Sequence, residues 1–118
     1  MKKILIAEDN DSNFILMTYI LKKFYEYDRA HNGKEAVEMV DKSDYDLILM
    51  DIKMPVMDGM EATKLIKEKH PEIPIIALTA NAFDEDAQRS MQAGLNAHLS
   101  KPVEPNALFD TLEKMIRP

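Results

Sequence analysis

The 118-residue chain contains no cysteine. This absence excludes a disulfide framework, a thiolate metal site and a cysteine nucleophile. The chain also lacks an excess of basic residues. Its net charge is −6, whereas a surface that binds duplex nucleic acid needs a basic stripe. We therefore expect no nucleic acid as a direct partner.

Long apolar runs are missing as well. No stretch approaches the roughly 20 apolar residues of a membrane-spanning helix. The apolar segment that begins at Ile4 runs directly into Glu8 and Asp9, so it is too short for a signal peptide. The chain also has no linker, internal repeat or low-complexity segment. We expect one domain over residues 1–118, located in the cytoplasm and without a membrane partner.

What the chain does contain is an alternation of short apolar runs with amphipathic stretches. The runs predict five strands, at residues 4–7, 27–31, 46–51, 74–79 and 97–100. Charged residues within the second run indicate a strand near the sheet edge. Alternating strands and helices favour parallel pairing with helices on both faces, so the predicted fold class is a doubly wound α/β sheet.

Helical spacing and end signals mark the stretches between and after the strands. The first helix is expected from Asp11 or Ser12, either of which could be its N-cap, through about Phe24. A turn at Asn32-Gly33 precedes the second helix, and Leu65 is expected on the apolar face of the third. Two further helices are predicted, one from Asp84 to Gly94 and one that starts near Pro105.

Polar groups follow four of the five predicted strands. Glu8 and Asp9 come after the first, Asp51 ends the third, Thr79 ends the fourth, and Lys101 follows the fifth. Each residue alone is more often a helix cap or a solvated side chain. Because parallel strands direct all of these groups to one edge, we expect them to form a single site in the crevice beyond the strand ends.

The residue types at this edge indicate phosphoryl transfer. Three carboxylates placed together would repel one another unless a cation lies among them. Oxygen ligands with room for water favour Mg²⁺, whereas Zn²⁺ would need histidine or cysteine, and His31, His70 and His98 are not suitably spaced. A carboxylate beside Mg²⁺, a lysine and a hydroxyl can accept a phosphoryl group.

The chain resembles the receiver domain of bacterial two-component response regulators, in particular single-domain regulators and the receivers of hybrid sensor kinases. The resemblance covers essentially the whole chain and is carried by four motifs, namely Glu8-Asp9-Asn10, residues 49–59, residues 77–82 and Ser100-Lys101-Pro102. It implies a flavodoxin-like (CheY-like) five-stranded parallel sheet with strand order 2-1-3-4-5.

The resemblance also implies roles for individual residues. Asp51 matches the phosphoacceptor. Glu8, Asp9, Asp51 and the backbone carbonyl of Lys53 match the Mg²⁺ ligands. Thr79 matches the switch hydroxyl and Lys101 the lysine that pairs with the phosphoryl group, and the Lys101–Pro102 peptide bond is expected to be cis.

One position departs from the family pattern. Tyrosine or phenylalanine usually stands three residues before the active lysine as the rotating partner of the switch hydroxyl, and here the residue is His98. Histidine has less apolar area and a pH-sensitive charge. The conformational response is therefore less well specified by the sequence than the phosphoryl chemistry.

The function implied is a phosphorylation-controlled signalling switch rather than a turnover enzyme. A histidine kinase or histidine phosphotransfer protein would donate the phosphoryl group, and the change would be read by an unidentified downstream protein at the helix after the fourth strand, the fifth strand and the last helix. The length leaves no room for an output domain, so we expect a stand-alone regulator or part of a longer protein.

Two alternatives remain open at this stage. A binding module with the same fold could work without phosphorylation, although such modules typically lack part of the acidic, hydroxyl and lysine set. An aspartyl-phosphate phosphatase would generally carry a second aspartate two residues after the nucleophile, and that residue is Lys53 here.

Overall fold

The computed structural model describes residues 2–79 and 94–116, and it has an α/β fold in which strands and helices alternate. The five strands lie close to the predicted positions. They are β1 (Lys3–Ala7), β2 (Glu26–Ala30), β3 (Leu47–Asp51), β4 (Ile75–Thr79) and β5 (Ala97–Ser100). Four helices are described, namely α1 (Asp11–Leu21), α2 (Gly33–Lys42), α3 (Gly59–Lys69) and α4 (Pro105–Met115).

All four strand pairings are parallel, and the sheet order is β2-β1-β3-β4-β5. This confirms the predicted fold class and strand order, including the edge position of β2. The order reverses between β1 and β3, because the chain adds β2 on one side of β1 and all later strands on the other. Ligand sites in open parallel sheets lie at such a reversal.

The core has two layers because alternate strand residues point to opposite faces of the sheet. Every residue of β3 and β4 is buried, as expected for central strands covered on both faces. One layer contains Leu5, Ile48 and Ile75 and is covered by α2 and α3. The other contains Ile6, Leu49 and Ile76 and is covered by α1 and α4.

Helix starts are set by side chains that accept a hydrogen bond from a backbone N–H of the first turn. The cap of α1 is Asn10, which accepts from Asn13 N–H, so the prediction of Asp11 or Ser12 was wrong. Asn32, predicted as part of a turn, caps α2, and Asp58 caps α3. Each cap also fixes the direction in which the preceding loop enters the helix.

Three predicted details differ from the structure. The first helix ends at Leu21 rather than near Phe24, which is 60% exposed and packs edge-on against Phe109. Leu65 lies on the exposed side of α3. The strand bounds of β1, β2, β3 and β4 shift by one residue because hydrogen bonding, rather than the polarity of the flanking residues, defines where a strand begins. The helix predicted from Asp84 lies outside the described residues.

No helix within residues 2–79 and 94–116 combines the length and the apolar character that crossing a bilayer requires.

Tyr45 provides a test of the packing at the start of β3. Its hydroxyl donates a 2.7 Å hydrogen bond to Asp28 on the edge strand, and burial, with help from this bond, raises the pKa of Tyr45 to about 12. The folded state therefore favours the neutral phenol, whereas the unfolded chain ionises it near pH 10. The stabilisation is complete below about pH 10 and is lost as the pH rises through about 12.

We expect Tyr45→Phe to lower the free energy of unfolding by about 1 kcal/mol at neutral pH and to reduce the further loss between pH 10 and 12. Urea denaturation of both proteins across this range measures the difference. Parallel curves for the two proteins from pH 10 to 12 would contradict the assignment to Tyr45.

Candidate functional site

The register of the sheet brings the predicted site residues to one edge. Ala7 is paired with Met50, so Glu8 follows beside Asp51. Asp51 is paired with Leu78, so Thr79 follows it on β4. Thr79 is in turn paired with Ser100, which puts Lys101 next in line. Residues far apart in sequence therefore meet because each strand ends at the same level.

Three carboxylates converge at this edge. Single carboxylate oxygens of Glu8, Asp9 and Asp51 all lie within 4.8 Å of one another. Glu8 is fully buried and Asp51 is 5% exposed, whereas Asp9 faces solvent. Burial raises the pKa of Glu8 above its ordinary value, and the neighbouring Asp51 raises it further while Lys101 lowers it. The cluster thus holds negative charge that is costly to maintain without a cation.

Lys101 bridges the two buried carboxylates. Its Nζ lies 3.0 Å from Glu8 Oε1 and 3.0 Å from Asp51 Oδ2. Burial by itself would lower the pKa of Lys101, but Glu8 and Asp51 outweigh this effect and raise it. The amine is therefore a fixed positive charge at the acidic edge, held after β5 by a hydrogen bond from Lys101 N–H to the Thr79 carbonyl. The Lys101–Pro102 peptide bond is cis.

The chain segment that follows Asp51 holds its side chain in place. Its Oδ1 accepts a 3.2 Å hydrogen bond from Lys53 N–H. Lys53 itself is an exposed residue. The Asp51 carboxylate faces a cavity of about 280 Å³. The walls of this cavity include Glu8, Asp9, Asn10, Asn13, Asp51, Ile52, Lys53, Leu78, Thr79 and Lys101. Side chains that carry carboxylate, hydroxyl and amine groups therefore line one cavity.

The structure does not bring every predicted residue to this cavity. His98 is the second residue of β5, is half-buried and pairs in register with Ala77, so it lies back along the strand and outside the cavity walls. Asn81, which belongs to one of the family motifs, lies outside the described residues.

Four cavity residues, Asn10, Asn13, Ile52 and Leu78, are not among the predicted site residues. Two of them are polar, namely Asn10, which belongs to a family motif, and Asn13. Both lie at the start of α1, where Asn10 accepts from Asn13 N–H and donates its own backbone N–H to Glu8 Oε2 at 3.3 Å. An asparagine directly after two carboxylates was the available signal, since asparagine is a preferred N-cap.

The turn after Asp51 is tightly packed and strained. Val56 has a φ of +69°, a conformation that is a genuine outlier for a β-branched residue. Gly59 begins α3 directly against the backbone of Asp51 and Ile52 and donates to the Ile52 carbonyl at 2.8 Å. A Cβ at position 59 would overlap the Asp51 carbonyl. The absence of a side chain at Gly59 is therefore what allows the turn to close behind Asp51.

The acidic edge fits a hard divalent cation such as Mg²⁺. All candidate ligands are oxygens, and Mg²⁺ needs only one or two carboxylates because it retains several waters. Within the described residues, the fully buried Glu8 Oε1 lies in ion-pair contact with Lys101 but has no hydrogen-bond partner of adequate geometry. A buried carboxylate beside two further carboxylates is the donor set that such an ion requires.

Comparison with known proteins agrees with this geometry. Residues 4–113 match the family described as response regulator receiver domain. Hybrid signal transduction histidine kinase B of Dictyostelium discoideum is 44% identical over 131 residues, an alignment that covers 99% of this chain and 6% of that protein. The chain spans between 6% and 17% of the length of the first four curated relatives it matches.

Solved structures share the fold over nearly the whole chain. The receiver domain of the Pseudomonas aeruginosa sensor histidine kinase PA1611, crystallised with a magnesium ion coordinated in its active-site cleft, is 37% identical with a TM-score of 0.92, covering 98% of this chain and 97% of that one. A second match comes from the co-crystal structure of the Saccharomyces cerevisiae histidine phosphotransfer protein Ypd1 with the receiver domain of Ssk1. The matched chain is 31% identical with a TM-score of 0.91, and the alignment covers 98% of this chain and 88% of that one.

Gly59→Ala tests the contact behind Asp51. Helix propensity alone favours alanine over glycine, but the added methyl group would push against the Asp51 backbone. We expect the free energy of unfolding to fall by about 1–3 kcal/mol, the usual cost of overpacking. Urea denaturation measures this loss, with Glu68→Ala on the exposed side of α3 as the control. An alanine variant as stable as the parent protein would contradict the close packing.

Proposed function

Because this chain belongs to the response regulator receiver domain family of two-component signalling, we propose that it is a phosphoacceptor switch. In this proposal Asp51 takes a phosphoryl group from a histidine kinase or a histidine phosphotransfer protein, and the phosphorylated form binds a downstream protein differently. The observation that carries the proposal is the position of the Asp51 carboxylate, which faces a cavity with Lys101 Nζ 3.0 Å away and Thr79 in the wall.

The proposed reaction moves one phosphoryl group. An Asp51 carboxylate oxygen attacks the phosphorus, a P–O bond forms, and the P–N bond to the donor histidine breaks. The electron pair of that bond stays with the imidazole, which a proton from solvent neutralises. The transferred phosphoryl group carries negative charge on its oxygens, so cationic and hydrogen-bonding groups fixed beforehand around the phosphorus accelerate the transfer.

The residues of this chain supply most of those groups. Lys101 is positively charged and already adjacent to Asp51, and Thr79 lies in the cavity wall. Bound Mg²⁺ would neutralise charge on the phosphoryl oxygens, and Glu8, Asp9, Asp51 and the Lys53 carbonyl would hold it. Lys53 N–H orients the Asp51 carboxylate through its 3.2 Å hydrogen bond.

The signalling step would follow from the new charge at Asp51. A phosphoryl group adds negative charge and hydrogen-bond acceptors, which compete for Lys101 and attract the Thr79 hydroxyl. Because Lys101 pairs with both Glu8 and Asp51 in the described state, phosphorylation would rearrange these pairs and shift the population of a second conformation. Movement of Thr79 would then be transmitted along β4 and β5, with His98 as its switch partner.

Helix α1 offers a surface for the phosphoryl donor. It is apolar on its outer as well as its inner side, since Ile15 is 56% and Tyr19 71% exposed. Helices that are apolar all round are normally covered. The helix begins at the cavity, which Asn10 and Asn13 line. A protein bound along α1 could therefore bring its histidine to Asp51, and a related receiver domain has been co-crystallised with the histidine phosphotransfer protein Ypd1.

Phosphorylation by acetyl phosphate tests the proposal directly. We expect one phosphoryl group per chain, strictly dependent on Mg²⁺, and complete loss of labelling in Asp51→Asn. Mass spectrometry and ³¹P NMR measure the stoichiometry and the acyl-phosphate bond. Asp44→Asn, which removes an exposed carboxylate elsewhere, should label normally. Labelling that persists in Asp51→Asn would refute the proposal, and sustained phosphate release from a phosphomonoester would favour a phosphatase.

Ile15→Glu tests the donor surface separately from the chemistry. A charge in the apolar face of α1 should slow phosphotransfer from a histidine phosphotransfer protein by about tenfold, equivalent to about 1.4 kcal/mol of binding. Labelling by acetyl phosphate should be unchanged because the cavity is intact. Leu65→Glu, at an exposed apolar position on α3, is the matched control. Equal slowing by both variants would reject α1 as the donor surface.

A further inference from the structure

Arg29 reaches from the edge strand β2 to the loop that carries the acidic residues. Its Nε donates a 3.1 Å hydrogen bond to the backbone carbonyl of Glu8. Its guanidinium lies 2.8 Å from the Asp11 carboxylate and stacks over Phe14, 4.5 Å from the ring centre. The side chain is only 17% exposed. The proposed phosphoryl transfer does not involve Arg29.

The contacts of Arg29 fix the loop between β1 and α1 from one side. The loop is also tied to β2 by the hydrogen bond from Glu8 N–H to the Ala30 carbonyl at 3.0 Å. Together these two bonds hold both backbone polar groups of Glu8 against the end of β2. The next residues, Asp9 and Asn10, enter α1 from this fixed point, and the ring of Phe14 on α1 packs against the guanidinium.

Fixing the loop matters because the carboxylates that it carries repel Asp51. Without a cation, like charges within 4.8 Å favour an opened loop. Lys101 counters the repulsion between Glu8 and Asp51 through their side chains, whereas Arg29 contacts the loop backbone itself. Groups that orient metal ligands from behind typically change metal affinity when they are removed.

We propose that Arg29 is a positioning residue that holds the loop from Glu8 to Asp11 so that Glu8 and Asp9 converge on Asp51 before Mg²⁺ binds. The inference rests on the proposed function, because it takes the acidic edge as the Mg²⁺ site. The effective contact is the one with the Glu8 carbonyl. The ion pair with Asp11 contributes little, because the Asp11 carboxylate is 83% exposed and exposed pairs are weak.

The direction in which Mg²⁺ affinity changes when Arg29 is replaced distinguishes a positioning role from a purely electrostatic one. Removing a nearby positive charge favours the binding of a cation, so a purely electrostatic role predicts tighter Mg²⁺ binding in Arg29→Met. Positioning predicts the reverse, because methionine retains the packing against Phe14 but cannot donate to the Glu8 carbonyl. We expect Mg²⁺ affinity to fall about tenfold in Arg29→Met and by a smaller factor in Arg29→Lys, whose amine can donate to that carbonyl without the guanidinium stack.

The experiment measures Mg²⁺ binding to the full chain by isothermal titration calorimetry, with circular dichroism melts confirming that each variant is folded. In a second readout, the rate of labelling by acetyl phosphate is followed against Mg²⁺ concentration. The half-saturating Mg²⁺ concentration should rise while the maximal rate stays within about twofold of the parent protein. Asp11→Asn and Lys42→Gln, which remove the exposed ion pair and a distant exposed charge, should bind Mg²⁺ like the parent.

Unchanged or tighter Mg²⁺ binding in Arg29→Met would overturn the inference, as would a fall in the maximal rate at an unchanged half-saturating concentration. Equal weakening in Asp11→Asn would transfer the role to the ion pair and would also overturn it. If Arg29→Met does not fold, Arg29→Lys carries the test with the same expected direction. A parent protein that binds no Mg²⁺ would reject the proposed function itself, which is a separate result.

Discussion

The mutual repulsion of carboxylates at one edge of the sheet is the constraint to which the rest of the site responds. Glu8 and Asp51 are buried side by side, and the ion pairs that Lys101 makes with both carboxylates offset their repulsion in the folded state. The same repulsion makes the site sensitive to any added charge. A cation or a phosphoryl group at this edge would redistribute charges that are already close together, so a small chemical change would act on a strongly coupled set of groups.

The parallel sheet makes such a cluster possible at low structural cost. Its central strands are covered on both faces and have no freedom to shift register, because a one-residue slip would move every side chain to the opposite face. The strand ends are therefore fixed relative to one another, and short loops can carry functional groups without contributing to the core. Gly59, packed against the Asp51 backbone, is one place where a loop does depend on close backbone contact.

The sequence predicted the fold and most of the site because both are local signals. Apolar runs defined the strands, and the residues after them were expected at one edge, which is where Thr79 and Lys101 lie. Helix ends were less predictable, since Asn10 rather than its neighbours caps α1 and Phe24 is left outside the helix. Arg29 could not be recognised, because its partner Glu8 is 21 residues away and the contact depends on how β2 meets the loop after β1.

The composition of β2 also limits how this domain can associate. As the outermost strand next to β1, it offers unpaired backbone groups to any extended chain nearby. Glu26 and Asp28 place charges along it, and a foreign strand docked there would have to desolvate them. Charged edges of this kind discourage sheet extension and fibrous aggregation. Association of this domain by strand addition is therefore disfavoured at the β2 edge of the sheet.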